Sequence, residues 1–158
     1  MHNQSQHSDE DIAERIRWRA SKHSVPHGLA TVVVHNKVMA PEPVVIAAED
    51  SKAGMVVMFA YDSGTEWTAI YTRMVIGVRG KVFTCSNYEA IRSITSHDFP
   101  PPDIQQLEWE EIGKLKSSWE CLSVTTEEDE VLKFWVPAGK EAFAFWNILL
   151  MLSRMASR

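Results

Sequence analysis

The first clear periodicity along the chain starts at Asp9. Ile12 and Ile16 lie one helical turn apart with Ala13 and Ala20 beside them, while Arg15, Arg17 and Arg19 fall largely off that stripe, which predicts an amphipathic surface helix over residues 9–22. Ser8 with Asp11 three residues on is a weak capping box, and Asp9, Glu10 and Asp11 suit the positive end of a helix dipole. Pro26 and Gly28 stop the helix. Residues 29–38 (LATVVVHNKV) and 44–48 (VVIAA) are rich in β-branched side chains and read as two strands, or a strand and an extended edge, separated by Pro41 and Pro43. Residues 55–61 form another strand, closed by the turn-forming Asp62-Ser63-Gly64. Residues 65–78 extend again, with Trp67, Ala69, Tyr71 and Arg73 alternating against Thr68, Ile70, Thr72 and Met74, and a strand over residues 82–85 follows.

The β pattern breaks at Pro100-Pro101-Pro102, a rigid extended connection. Ile104, Leu107, Ile112 and Leu115 then recur at near-helical spacing and predict a short inserted helix over 103–115, with Glu108, Glu110 and Glu111 off its apolar side. Two further strands flank the acidic tip Glu127 to Glu130 as a hairpin. In residues 140–157, Phe145, Ile148, Leu149 and Leu152 form one face, with Ala142, Trp146, Leu150 and Ser153 beside it. A helix so apolar is buried on most sides or lies against a partner.

Consecutive strands, a glycine-containing hairpin at Gly77 to Gly80 and one closing apolar helix predict an antiparallel sheet bent around a core, with the helix plugging one end. Thr72-Arg73 ahead of Val75-Ile76-Gly77-Val78, Gly80-Lys81 at the turn, Tyr88-Glu89 with Ile91 and Ile94, Phe134, Val136-Pro137 and Trp146 carry a likeness. Over about residues 55–155 the chain resembles the pleckstrin-homology-like superfold, in particular its small bacterial versions. The resemblance implies an α+β fold, an antiparallel PH-like β-barrel or sandwich with a C-terminal capping helix. This chain adds an N-terminal amphipathic helix and the short inserted helix. Residues 1–158 then form a single domain, with a tail over 1–8, a helix-and-strand extension over 9–50 and the PH-like core over 55–155. Family members that bind phosphoinositides cluster basic residues on the first two strands and the loop between them. The matching loop here, Asp62-Ser63-Gly64-Thr65-Glu66, is acidic, so the lipid site is not carried over.

Composition adds limits. A chain of 158 residues with 45 % hydrophobic content and six tryptophans is that of one globular domain, far from the disordered regime. No apolar run approaches the length of a membrane span. The polar, acidic N-terminus is unlike a signal peptide, and Cys85 and Cys121 read as reduced thiols packed as small apolar groups on strands, so a cytoplasmic location is expected. The net charge of −5 is concentrated: residues 98–130 hold ten acids against two bases, whereas the preceding residues balance. Such a surface repels phosphate backbones and anionic lipid, which argues against nucleic-acid binding and for a protein partner.

Candidate chemistry is sparse. No P-loop, dinucleotide fingerprint or nucleophile elbow is present, and Cys85, Ser86, His97 and Asp98 lack a nucleophile's context. His23, His27 and His35 have no metal-ligand spacing, so neither metal nor cofactor is expected. Arg79-Gly80-Lys81 reads first as a turn, glycine supplying positive φ and the cations discouraging edge pairing. Read functionally, Arg79 and Lys81 join Arg73 and Arg92 around an acidic ligand. Trp67, Trp109, Trp119 and Trp135 read first as core candidates, Trp109 being the least well placed for burial. Trp109 shares its helix with three glutamates and, with Glu110 and Glu111, would make an aromatic anchor in a charged rim. The expected function is a non-catalytic intracellular protein-binding module. It would engage its partner through the acidic, proline-bearing insertion or the terminal helix, and a homo-oligomer is compatible with it. The alternative is a binder of small anionic ligands or lipid headgroups through the four cations. An enzyme would need a pocket around Glu89, His97 or Asp98.

Overall fold

Helix α1 (Asp9–Lys22) starts where Ser8 caps it: Ser8 Oγ accepts the Asp11 amide at 3.1 Å and the Ser8 carbonyl accepts that of Ile12. Its Ile12, Ala13, Ile16 and Ala20 are buried, the stripe read from the sequence. The computed structural model describes residues 7–22, 31–33, 40–96, 121–137 and 140–157. Of the strand expected over 29–38, residues Thr31–Val33 (β1) are described. The helix expected over 103–115 falls on residues outside those described, as do Pro100 to Pro102, Trp109, Glu110, Glu111, Trp119 and the three histidines His23, His27 and His35.

Residues 44–48 are helical, not extended. Helix α2 (Glu42–Ser51) begins at Pro41-Glu42-Pro43, where proline's fixed φ suits a first turn and its missing N–H leaves nothing unsatisfied, and ends on Lys52 in the left-handed conformation. The β-branched run therefore lost to its flanking start and stop signals. It buries Val44 and Ala47 and leaves Val45 and Ile46 exposed.

The strands form two antiparallel sheets rather than a closed barrel. The first, in order β1-β2-β3-β4-β5, takes in β2 (Val56–Ser63), β3 (Glu66–Tyr71), β4 (Met74–Arg79) and β5 (Val82–Asn87). The second is β6-β7-β8, from Ile91–Ser96, Cys121–Thr126 and Val131–Trp135. β2 runs on through Ser63, so the turn falls at Gly64-Thr65, one step later than the Asp62-Ser63-Gly64 signal suggests. Gly77 sits inside β4 and the next turn is Gly80-Lys81. Gly80 has φ +62, which fits the first turn position of a two-residue type II′ hairpin. The acidic hairpin tip at Glu127 to Glu130 joins β7 to β8 as expected.

Period-two alternation sorts the first sheet into two buried faces. Met58, Ala60, Ile70 and Val75 face a core shared with Phe134 of β8, Ile12 and Ile16 of α1, and Phe145, Ile148 and Leu149 of the closing helix α3 (Lys140–Ala156). Phe59, Trp67, Ala69, Tyr71 and Ile76 face α2. The sheets are tied by Thr68, whose hydroxyl donates to the Trp135 carbonyl. The protein is thus α+β, with its terminal helix packed against the strands.

Candidate functional site

The described sequence-derived candidates are the four cations, and the fold distributes them. Arg73, in the β3–β4 turn, pairs through Nε with Asp9 Oδ1 at 2.7 Å. Asp9 also accepts the Thr72 hydroxyl at 2.9 Å, while Thr72 Oγ1 accepts the Met55 amide at 3.1 Å. Arg73 therefore belongs to a knot that fastens the start of α1 to the sheet. Arg79 stands six residues further along β4, about 20 Å away in extended chain, and its Nη1 donates to Cys121 Sγ at 3.2 Å. Arg92 of β6 pairs with Asp129 at the acidic hairpin tip, Nη1 to Oδ1 at 2.6 Å. Lys81 is exposed at the turn and has no ion pair among the described residues. Arg73, in the turn before β4, and Arg79, at the far end of that strand, do not converge on a common ligand. Trp109, Glu110 and Glu111 fall outside the described residues.

A different surface draws functional side chains together. An open groove of about 560 Å³ runs between α1 and α3. Leu150, Met151 and Met155 contribute apolar surface from α3; Trp18, Arg15 and Arg19 line it from α1, with Arg154 at the rim. Trp18 is 57 % exposed, the largest side chain among the exposed hydrophobics. Two cations lie over its ring, Arg19 at 5.6 Å and Lys22 at 5.0 Å from the centroid. They shield the indole from water on the helix side and concentrate positive charge beside it. Asp11, also lining the groove, is already engaged by His7 Nδ1 at 2.6 Å and by Arg15 Nε at 3.6 Å. Arg19 Nε is buried and finds no acceptor among the described residues.

The sequence reading did not single out Trp18, although the signal was there. It lies between Arg17 and Arg19, off the stripe formed by Ile12, Ile16 and Ala20, so the period that located the helix also placed its indole outside the core. Trp67, by contrast, is fully enclosed and Trp135 is half-buried. Of the two thiols, Cys121 is buried as expected, but Cys85 is exposed, because β5 is an edge strand whose α2-side face is left open at that position. Two tyrosines are strongly perturbed. Burial pushes the Tyr71 hydroxyl, which donates to the Val44 carbonyl at 2.6 Å, well above its ordinary value. Burial does the same to Tyr88, whose single hydroxyl proton is shared between the carbonyls of Tyr71 and Met74 at 2.6 and 2.7 Å. Both hold backbone, and neither faces the groove. Among the described residues no cluster of three or more histidine, cysteine or acidic side chains could hold a metal, and no helix is long and apolar enough to cross a membrane.

No family model, curated protein or solved structure matches the chain. The site is therefore interpreted from its own geometry.

Proposed function

We propose that the protein is a non-catalytic, intracellular protein-binding module of PH-like architecture. The observation that carries the reading is Trp18, an indole held half in water by two flanking cations at the lip of a methionine- and leucine-lined groove. Aromatic anchors within a charged rim are the usual anatomy of a protein contact, and unbranched methionines adapt to an apolar segment laid against them. The groove mixes Arg15, Arg19 and Arg154 with Asp11 and Glu14, and the cations on and beside the Trp18 ring, Arg19 and Lys22, favour acidic residues in the partner next to that indole. The acidic, proline-bearing insertion, with Trp109, Glu110 and Glu111, is a second surface that the sequence supports. The rival reading, an anionic small ligand or headgroup held by Arg73, Arg79, Lys81 and Arg92, is disfavoured by the separation of Arg73 from Arg79 along β4.

A photo-crosslinking amino acid placed at position 18 of the full chain tests this in the native cell. A discrete protein adduct at position 18, lost when Met151→Glu puts a charge into the groove, is the expected result. Position 131, exposed on β8, serves as the control. An adduct pattern at position 18 no different from that at 131 would overturn the proposal.

A further inference from the structure

Among the described residues four strands stand at sheet edges, and β6 and β8 each carry a feature that discourages a further strand. β6 contains Arg92, breaks register between Ile91 and Ser93, and has its Ile94 carbonyl occupied by Trp146 Nε1 at 3.1 Å. β8 has Lys133 at its centre. Short length, in-strand charge, bulges and cover are how natural sheets protect their edges. Among the described residues β5 has none of them over its length: VFTCSN contains no charge and no proline, it pairs with β4 through six successive residues without a shift, and the one outward group already engaged is the Asn87 carbonyl at its end, which accepts the Ser86 hydroxyl at 2.9 Å. Val82 is 63 % and Phe83 52 % exposed, and Cys85 is exposed beside them.

Hydrogen-bond parity fixes what this edge offers. The two-residue turn makes Arg79 and Val82 a hydrogen-bonded pair, so Val82, Thr84 and Ser86 spend their backbone groups on β4, and those of Phe83, Cys85 and Asn87 point outward. Charge sits only beyond the ends of the strand, and with opposite sign. Lys81 precedes it and Glu89 follows it, both exposed and neither ion-paired among the described residues. An uncharged strand with a cation at one end and an anion at the other is complementary to itself only when the second strand runs antiparallel.

We propose that β5 is the pairing edge of a homodimer. Two copies join antiparallel about a two-fold axis at Cys85, so that the outward groups of Phe83 and Asn87 meet, Cys85 lies opposite its symmetry mate, and Lys81 comes up to the 3₁₀ turn Tyr88–Ala90, which carries Glu89, of the second copy twice over. The two five-stranded sheets become one continuous sheet. The surface is separate from the α1–α3 groove, whose lining includes no β5 residue.

The test uses the full chain in sedimentation velocity over a wide concentration range. The expected result is a reversible passage from the 17.9 kDa monomer to twice that mass. Hydrogen-bonded antiparallel neighbours stand about 5.5 Å apart at Cα, within disulfide reach, so mild oxidation should lock the dimer through Cys85. Cys85→Ser should abolish the lock, since Cys121 is buried. Lys81→Glu and Glu89→Lys should each weaken association roughly tenfold, because two pairs become repulsive at once, and the double reversal should restore it. Trp18→Ala should leave the dimer unchanged, which separates this proposal from the partner-binding one. A single 17.9 kDa species at every concentration, or a dimer that neither locks through Cys85 nor responds to the charge reversals, would overturn it.

Discussion

One face of the five-stranded sheet is covered by α1, α3 and the second sheet, while the other is covered by the ten-residue helix α2. The aromatic side chains change sides from one face to the other. On the thick side the cover brings them, Phe134 and Phe145, with Ile148 and Leu149, and the sheet answers with the aliphatic Met58, Ile70 and Val75 and, under Phe134, with the small Thr68 and Gly77. On the thin side the sheet brings Phe59, Trp67 and Tyr71, and the helix answers with Val44, Ala47 and Ala48. Large facing small keeps both interiors near close packing. It also means that the thick face depends on what is laid over it, whereas the thin face largely packs itself.

Truncating the cover should therefore be most damaging on the thick side. Phe134 is fully buried, with its ring against the flat surface that Gly77 leaves on β4. Phe134→Ala is expected to cost about 3–5 kcal/mol in chemical denaturation, the range for a buried aromatic replaced by a cavity. The converse error is overpacking. A methyl group on Gly77 would come within 2.8 Å of Phe134 Cδ1 and 3.1 Å of Thr68 Oγ1, so Gly77→Ala should cost about 1–3 kcal/mol. Combining it with Phe134→Leu should cost less than the two singles together, since the shorter side chain vacates the space in dispute. Strict additivity would show that Gly77 is not there to receive the ring.

This size complementarity explains how much of the fold was legible in the sequence. α1 and α3 were readable because one-sided burial writes itself into a 3.6-residue period, and the β7–β8 hairpin because its acidic tip breaks two apolar runs. α2 was not. Its Val44-Val45-Ile46 run has strand composition, and only the prolines before it and the left-handed Lys52 after it mark a helix. Gly77 resembled part of a turn because a glycine's close-approach role depends on Phe134, a partner 57 residues away in sequence. The candidate site was less legible still. The cations were visible as residues, but whether they converge is set by strand direction, which puts the length of β4 between Arg73, in the turn before it, and Arg79, its last residue. The groove beside Trp18 needs α3, more than 120 residues further on, for its other wall.

The matched tyrosines sharpen the contrast at a smaller scale. Tyr71 serves the thin face by donating to α2 at Val44, and Tyr88 donates to two carbonyls that close the β3–β4 turn. Tyr88→Phe removes the one proton that two carbonyls share and should cost about 1–2 kcal/mol near neutral pH, Tyr71→Phe about 1 kcal/mol. Both hydroxyls are held above their ordinary value by burial. Below about pH 10, the ordinary tyrosine value, neither state ionises and this contribution is constant. As pH rises further the unfolded chain releases these protons before the folded one does. Stability is then lost, at up to about 1.4 kcal/mol per pH unit for each tyrosine. The double Tyr→Phe variant should start less stable and show a shallower alkaline decline than wild type. Parallel curves would mean that the two hydroxyls ionise alike in both states.

The smallest effect is expected where a large side chain is exchanged on the thin face. Trp67 is the bulkiest fully enclosed residue, and size alone would make its replacement severe. Its indole Nε1 is buried, however, and has no acceptor among the described residues. A buried donor without a partner carries a desolvation cost of roughly 1–3 kcal/mol. Trp67→Phe removes that donor together with part of the ring, so the gain from deleting an unsatisfied N–H opposes the loss of packing. The net change should stay within about 1 kcal/mol of wild type, well below Phe134→Ala on the opposite face. Trp67→Leu, which deletes the same donor and more of the aromatic surface, should be clearly worse than Trp67→Phe. If Trp67→Phe instead matched the cost of Phe134→Ala, the indole nitrogen would have to be hydrogen-bonded in solution, and the thin face would be no more tolerant than the thick one.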